Sequence, residues 1–205
     1  MDLTRTRTAL HGIAELLLAG PQYAESGTIR LRVVPGGIAT VASPDLRLDG
    51  AELVAAHGRQ PLEGTYAGIA AALGVTPRLL DDVYHDRADV TVDDVVDLDP
   101  AALRTLVDAL AVGDAALRAF APDEVPVLWP EHLDVGISRE REEVNYGVSP
   151  GDSSVPEPYA YVGPWTPRTG EFWNQSFGAA HPLSELGGAD AVADFFREGA
   201  RLAAG

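Results

Sequence analysis

Thr28-Ile29-Arg30-Leu31-Arg32-Val33-Val34-Pro35-Gly36-Gly37-Ile38-Ala39-Thr40-Val41-Ala42 is the stretch that decides the fold class. Ile29, Leu31 and Val33 alternate with Thr28, Arg30 and Arg32, which puts apolar side chains on one face of a strand and arginines on the wet face. Pro35-Gly36-Gly37 supplies turn residues, and residues 38–42 return as a second strand. Strands joined by so short a turn must pair antiparallel. Ser43-Pro44-Asp45 turns again, and Leu46-Arg47-Leu48 gives a short third strand before Asp49-Gly50.

Helices flank this hairpin region. Residues 4–19 carry Leu3, Leu10, Ile13 and Leu17 on one stripe, with Gly20-Pro21 as the expected stop and His11 and Glu15 as an off-stripe pair at the rim. Residues 62–73 read as a second helix, carrying Ile69 and Leu73 and ended by Gly74. Asp99-Pro100 combines an N-cap acid with proline at the first helical position. It opens a helix with Leu103, Leu106, Val107, Leu110, Leu117 and Phe120 on its apolar face, stopped by Pro122. Strands are expected at 125–137, 144–148 and 159–163, then a last helix over about 189–203 with Val192, Phe195, Phe196 and Leu202 on its buried side. The expected class is α+β, a mostly antiparallel sheet flanked by helices. Both halves read helix, three strands, helix, which suggests two αβββα units without a residue-level repeat. The expectation is one compact domain over 1–205, with halves 1–80 and 99–205 joined by an acidic connector at 81–98.

Composition removes whole classes of chemistry. The 205 residues include 15 Lys+Arg against 31 Asp+Glu, a formal charge of −16. Nucleic acids and anionic membranes both demand concentrated cations, so neither is an expected partner. Cysteine is absent, which excludes disulfides, thiolate metal sites and a thiol nucleophile. Every basic residue is arginine, so lysine Schiff-base chemistry is excluded as well. No run approaches the length of a membrane span, and no apolar segment followed by a small-residue cleavage site opens the chain, so a cytoplasmic protein is expected. Residues 81–99 hold eight aspartates against Arg87. They lack the spacing of a calcium loop and are interrupted by valines, so they read as solvated.

Eight of the 14 aromatic residues lie between Trp129 and Phe177, including all three tryptophans. Such a cluster is either a large-residue core or the wall of a ligand pocket. Within Leu128-Trp129-Pro130-Glu131-His132-Leu133-Asp134-Val135-Gly136-Ile137, strand alternation would put His132 and Asp134 on one face. There Asp134 could orient His132 as an acid/base group, or both could ligate a metal with Asp152 and His181. The opposing reading is an arginine pairing for Asp134 and a solvated His132. Asn145-Tyr146-Gly147-Val148-Ser149-Pro150-Gly151-Asp152 reads as a strand end and type II turn in which Asp152 bonds the turn or a ligand. Tyr159 and Tyr161 share a strand face, with Gly163 leaving room beside them. Glu171-Phe172-Trp173-Asn174-Gln175-Ser176-Phe177-Gly178 reads as a pocket floor or an anchored loop. No serine elbow, phosphate loop, dinucleotide fingerprint or H-E-x-x-H motif is present.

Through Trp129-Pro130-Glu131-His132-Leu133-Asp134, Asn145 to Asp152, and Pro156-Glu157-Pro158-Tyr159-Ala160-Tyr161-Val162-Gly163-Pro164-Trp165, the chain resembles an uncharacterised family of high-GC Gram-positive bacterial proteins. More distantly it is similar to bacterial domains of unknown function with a long helix, a W-x-x-x-F-D strand and a tyrosine-rich P-E-P segment. Leu133 stands where those have phenylalanine. The resemblance covers most of the chain and implies one intact protein, without an activity to transfer.

The expected function is a small-molecule-binding protein or enzyme with an aromatic-walled pocket in the second half. His132 and Asp134 are its candidate catalytic residues, and Trp129, Asn145, Asp152, Tyr161, Trp165, Trp173 and Asn174 its candidate ligand contacts. The metal and cofactor are unassigned, and a homo-oligomer is left open. The alternative is an interaction or dimerisation protein with the same aromatics in its core or interface. The third reading is a carrier of a hydrophobic ligand, suggested by the hairpin-rich first half.

Overall fold

A computed structural model describes residues 2–85 and 87–205; Met1, and Asp86 of the acidic run, lie outside the described residues. The class is α+β, with strands paired antiparallel and flanked by helices. The chain forms two compact units, Met1–Asp108 with Leu128–Leu133 and Ala109–Val127 with Asp134–Gly205. Among the described residues no helix is long and apolar enough to cross a membrane.

The first unit holds α1 (Leu3–Gly12), a π-helical segment (Ile13–Ala19), α2 (Gly20–Ser26), β1 (Leu31–Val34), β2 (Gly37–Thr40), β3 (Leu46–Asp49), β4 (Glu52–Ala55), β5 (Gly58–Pro61) and α3 (Tyr66–Ala72). It also takes the start of α4 (Pro100–Phe120) and most of β6 (Val127–Trp129), giving the strand order β6-β1-β2-β3-β4-β5. Asp99 caps α4 by accepting from the N–H groups of Ala101 and Ala102 at 2.8 and 3.0 Å. The β1–β2–β3 reading holds, and Leu46 and Leu48 are buried on either side of exposed Arg47. The β4–β5 hairpin escaped the sequence reading because β5 has no buried residue and ends in Pro61, as suits an edge.

Gly20-Pro21 does not stop the first helix. The wider π turn lets the Gly20 N–H reach back to the Glu15 carbonyl, and the chain continues to Ser26. Pro21 has no N–H to offer, and the Leu16 carbonyl accepts instead from the Arg78 N–H at 3.3 Å. A Cβ on Gly20 would lie 2.1 Å from the Arg78 carbonyl oxygen, so the glycine is what admits this crossing segment. Directly after Pro21, fully buried Gln22 makes four bonds through one side chain. Its Nε2 donates to the carbonyls of Thr28 and Arg30, and its Oε1 accepts from the N–H groups of Val41 and Ala42.

The second unit holds the rest of α4 with β7 (Asp134–Arg139), β8 (Val144–Ser149), β9 (Tyr159–Pro164), β10 (Ala179–Pro182), α5 (Leu183–Leu186) and α6 (Ala189–Ala203), in the strand order β10-β9-β8-β7. Val135, Tyr146, Val148 and Val162 are fully buried. The added Cβ of Gly113 on α4 would lie 2.7 Å from Val135 and Val148, and that of Gly199 on α6 2.7 Å from Val162. Both helices therefore come close to the valine face through a residue that has no side chain. Phe120, Tyr146 and Phe196 meet there, with ring centroids 4.7–5.9 Å apart.

His11 and Glu15, expected at a solvated rim, are mostly and fully buried. Burial pushes the His11 imidazole down to about 4, against the raising effect of the Pro130 and Glu131 carbonyls. The acidic run expected as a connector lies within the first unit. Ala67 donates to the Val92 carbonyl, Tyr66 to that of Asp94, and Val96 to that of Gly64. Glu15 fastens the start of the run by accepting from the Tyr84 hydroxyl at 2.7 Å and the Ala88 N–H at 2.8 Å. Burial raises the Glu15 carboxyl above the usual range, and these two donors oppose the rise. Glu15→Ala should cost about 2–4 kcal/mol in urea unfolding, because two buried donors lose their acceptor. Protonation of Glu15 is easier in the folded state, so its contribution favours folding at low pH and is lost as pH rises through the folded value. The wild type should therefore lose stability relative to Glu15→Gln between pH 4 and 8, and a flat or opposite difference would contradict the assignment.

Candidate functional site

The expected site residues fall in three places. Trp129 and His132 belong to the first unit. Trp129, on β6, is half-buried with the Arg30 guanidinium 5.6 Å from its ring centroid. Residues 130–133 form a turn rather than part of a strand, and Leu133 adopts a left-handed φ of 54°. That turn breaks the alternation read across 129–137. The His132 side chain is 59% exposed with Glu131 3.9 Å away, whereas Asp134 is buried at the start of β7.

Asp134, Asn145, Asp152, Tyr161 and Trp165 share the second place, the polar side of β7–β8–β9. Gly136, Gly147 and Tyr161 are in register across these strands. A Cβ on Gly147 would meet the Tyr161 hydroxyl at 2.6 Å, so the ring lies over the glycines and its hydroxyl donates to Asp134. Burial, then the Asp134 charge, pushes the Tyr161 hydroxyl well up. Tyr159 donates to Asp152 Oδ2 at 2.5 Å, and Asp152 Oδ1 accepts from the Ser154 and Val155 N–H groups. Asn145 Oδ1 accepts from Ser138 Oγ and from Trp165 Nε1. The hydroxyls donate and the Asp side-chain oxygens accept, an arrangement that fixes strands and turns.

Trp173 and Asn174 lie in the third place, an open cleft of about 660 Å³ whose walls include Phe172, Trp173, His181, Glu171, Glu198 and Leu202. Its first wall is a tight turn. Gly170 takes φ 135°, which only glycine adopts freely, and its carbonyl accepts from the Trp173 N–H at 3.1 Å. Phe172 and Trp173 stand almost perpendicular, 85° between planes and 4.9 Å between centroids. Phe172 is backed by Phe195 of α6 at 5.3 Å, and the His181 ring meets Phe195 edge-on at the same distance. Glu198 and Leu202 come from α6 at i,i+4, off its buried stripe, so Leu202 is half-buried at the cleft rather than in the core.

Asn174 closes the sheet edge beside this cleft. Its Nδ2 donates to the Ala180 carbonyl at 3.0 Å and its Oδ1 accepts from the Ala180 N–H at 2.9 Å. A carboxamide carries the same donor and acceptor as a peptide unit, so one side chain stands in for the next strand. Gln175 and Gly178 exchange backbone hydrogen bonds, folding the loop back on itself. Phe172, Glu171 and His181 were legible as parts of a dense loop and its continuation. Glu198 and Leu202 had no signal beyond their place on a helix.

A second open groove, about 540 Å³ and lined by Pro21, Pro44, Val75, Pro77 and Arg78 among others, lies in the first unit. Its one cation is engaged by Asp82 at 2.8 Å and by the Tyr23 ring. Among the described residues no three His, Asp or Glu side chains converge to hold a metal ion. Comparison with known protein families, curated proteins and solved structures finds no match for this chain.

Asn174→Ala strips the Ala180 N–H and C=O of both partners and bares the β10 edge. It should lower unfolding stability by about 1–2 kcal/mol and introduce concentration-dependent self-association in light scattering. Unchanged stability and a concentration-independent mass would remove the edge-closing role.

Proposed function

We propose that this protein binds a small molecule in the cleft between the 170–174 turn, β10 and α6. The carrying observation is a 660 Å³ opening in which Phe172, Trp173 and His181 present ring surface beside the carboxylates of Glu171 and Glu198. That volume is within the range of ligand sites, about 300–1,000 Å³, and the mixture of aromatic wall with few polar groups is their usual composition. The wall is held before any ligand arrives, by the Gly170 turn on one side and the Asn174 clamp on the other. Preorganisation of this kind reduces the ordering cost of binding. Binding without chemistry is the reading supported, since the cleft holds neither a hydroxyl nucleophile paired with His181 nor a histidine–carboxylate pair within hydrogen-bond reach. His181 Nδ1 lies 3.6 Å from Glu185 Oε2.

Ligand-observed NMR with a soluble fragment library tests the reading. Hits should be retained by Trp165→Ala and lost by Trp173→Ala, with both variants folded by circular dichroism. Hits that are indifferent to Trp173, or the absence of any hit, would overturn it.

A further inference from the structure

The charges around the cleft say which molecule it would take. Two carboxylates line it, Glu171 and Glu198, and neither arginine nor lysine is among the lining residues. Glu198 is offset by Arg201, which grips it with two bonds at 2.6 and 2.8 Å. Arg168, next to the lining residue Thr169, donates to the Ala203 carbonyl near the end of α6. Glu171 is exposed and has no ion pair among those of the described residues, so its charge is the one left to a ligand. The same lining holds an indole and a phenyl ring at 85° to each other, two ring surfaces of different orientation whose π faces are negative. An anion would meet both the carboxylate and the rings unfavourably. A neutral apolar molecule would use the rings and leave Glu171 idle. A cation with an apolar shell uses both.

On the basis of the cleft reading above, we propose that the ligand is a small organic cation of the alkylammonium class. Its charged head would lie against Trp173 and Phe172 with Glu171 as counter-ion. A methylated ammonium suits the site better than a primary amine, because it gives up less hydration on leaving water for an aromatic wall. The whole chain favours the same sign, since a formal charge of −16 with no lysine raises the local concentration of any small cation.

Three probes of almost one shape separate charge from shape: choline, 3,3-dimethylbutan-1-ol and 3,3-dimethylbutanoate, titrated into the full chain by NMR at low salt. Choline should bind about five- to tenfold more tightly than the neutral alcohol, and the carboxylate least of all. Glu171→Gln should reduce the preference about two- to threefold, as expected of an exposed counter-ion. Trp173→Leu should abolish it, and added salt should weaken choline more than the alcohol. If the alcohol or the carboxylate binds as well as choline, the ligand class is wrong while the cleft stands. If no probe binds yet fragments still depend on Trp173, again only the ligand class falls. If no fragment depends on Trp173, the cleft reading fails and the ligand class fails with it.

Discussion

Two hydrogen bonds from one side chain decide where the second unit's sheet ends, and the candidate site depends on where that is. Beyond β10 the next structural need is a donor and an acceptor for the Ala180 backbone, and Asn174 supplies both at 3.0 and 2.9 Å. Another strand in that position would fill the space now lined by Phe172, Trp173 and His181. Because a carboxamide satisfies the same two atoms while occupying one residue, the edge is closed and the neighbouring volume stays open. Trp173 directly precedes Asn174, and its backbone N–H is held by the Gly170 carbonyl, so the stretch of backbone that carries the indole is anchored on both sides.

The first unit is organised by the same device in other hands. Gln22 ties the approach to β1 to the end of β2 with four bonds through a fully buried side chain. Glu15 binds the start of the acidic run through Tyr84 and Ala88. In each case a polar side chain stands where a backbone ladder cannot reach, and the energetic stake is the cost of a buried donor or acceptor left alone, about 1–3 kcal/mol each. Burying a carboxylate is the expensive version. Its carboxyl is held above the usual range even with two donors attached.

Periodicity made part of this architecture legible in the sequence. Alternation at 28–34 and 46–48 predicted paired strands, and Asp99-Pro100 predicted the start of α4, because these signals are local and the structure does not override them. Gly20-Pro21 misled for a physical reason: glycine and proline end helices when nothing else satisfies the freed carbonyl, and here the N–H of Arg78, far along the chain, reaches the Leu16 carbonyl. The apolar alternation at 129–137 likewise suggested one strand, but a turn at 130–133 with a left-handed Leu133 divides it, so the spacing of His132 and Asp134 did not carry a shared face. Of the expected contacts, Trp173 and Asn174 reach the cleft. Asn145, Asp152, Tyr161 and Trp165 belong to the polar network over Gly136 and Gly147. The sequence marked which residues were chemically rich, while long-range pairing decided which of them had capacity to spare.

A chain with three tryptophans reports on its own site. Trp129, Trp165 and Trp173 occupy three different surroundings: Arg30, the Asn145 side-chain oxygen, and the cleft. A nitrogen–proton correlation spectrum resolves their three indole N–H signals. On titration with choline the account predicts a saturable shift of the Trp173 signal, with those of Trp129 and Trp165 unmoved. A stationary Trp173 signal, or a shift carried by Trp165 or Trp129 instead, would contradict it.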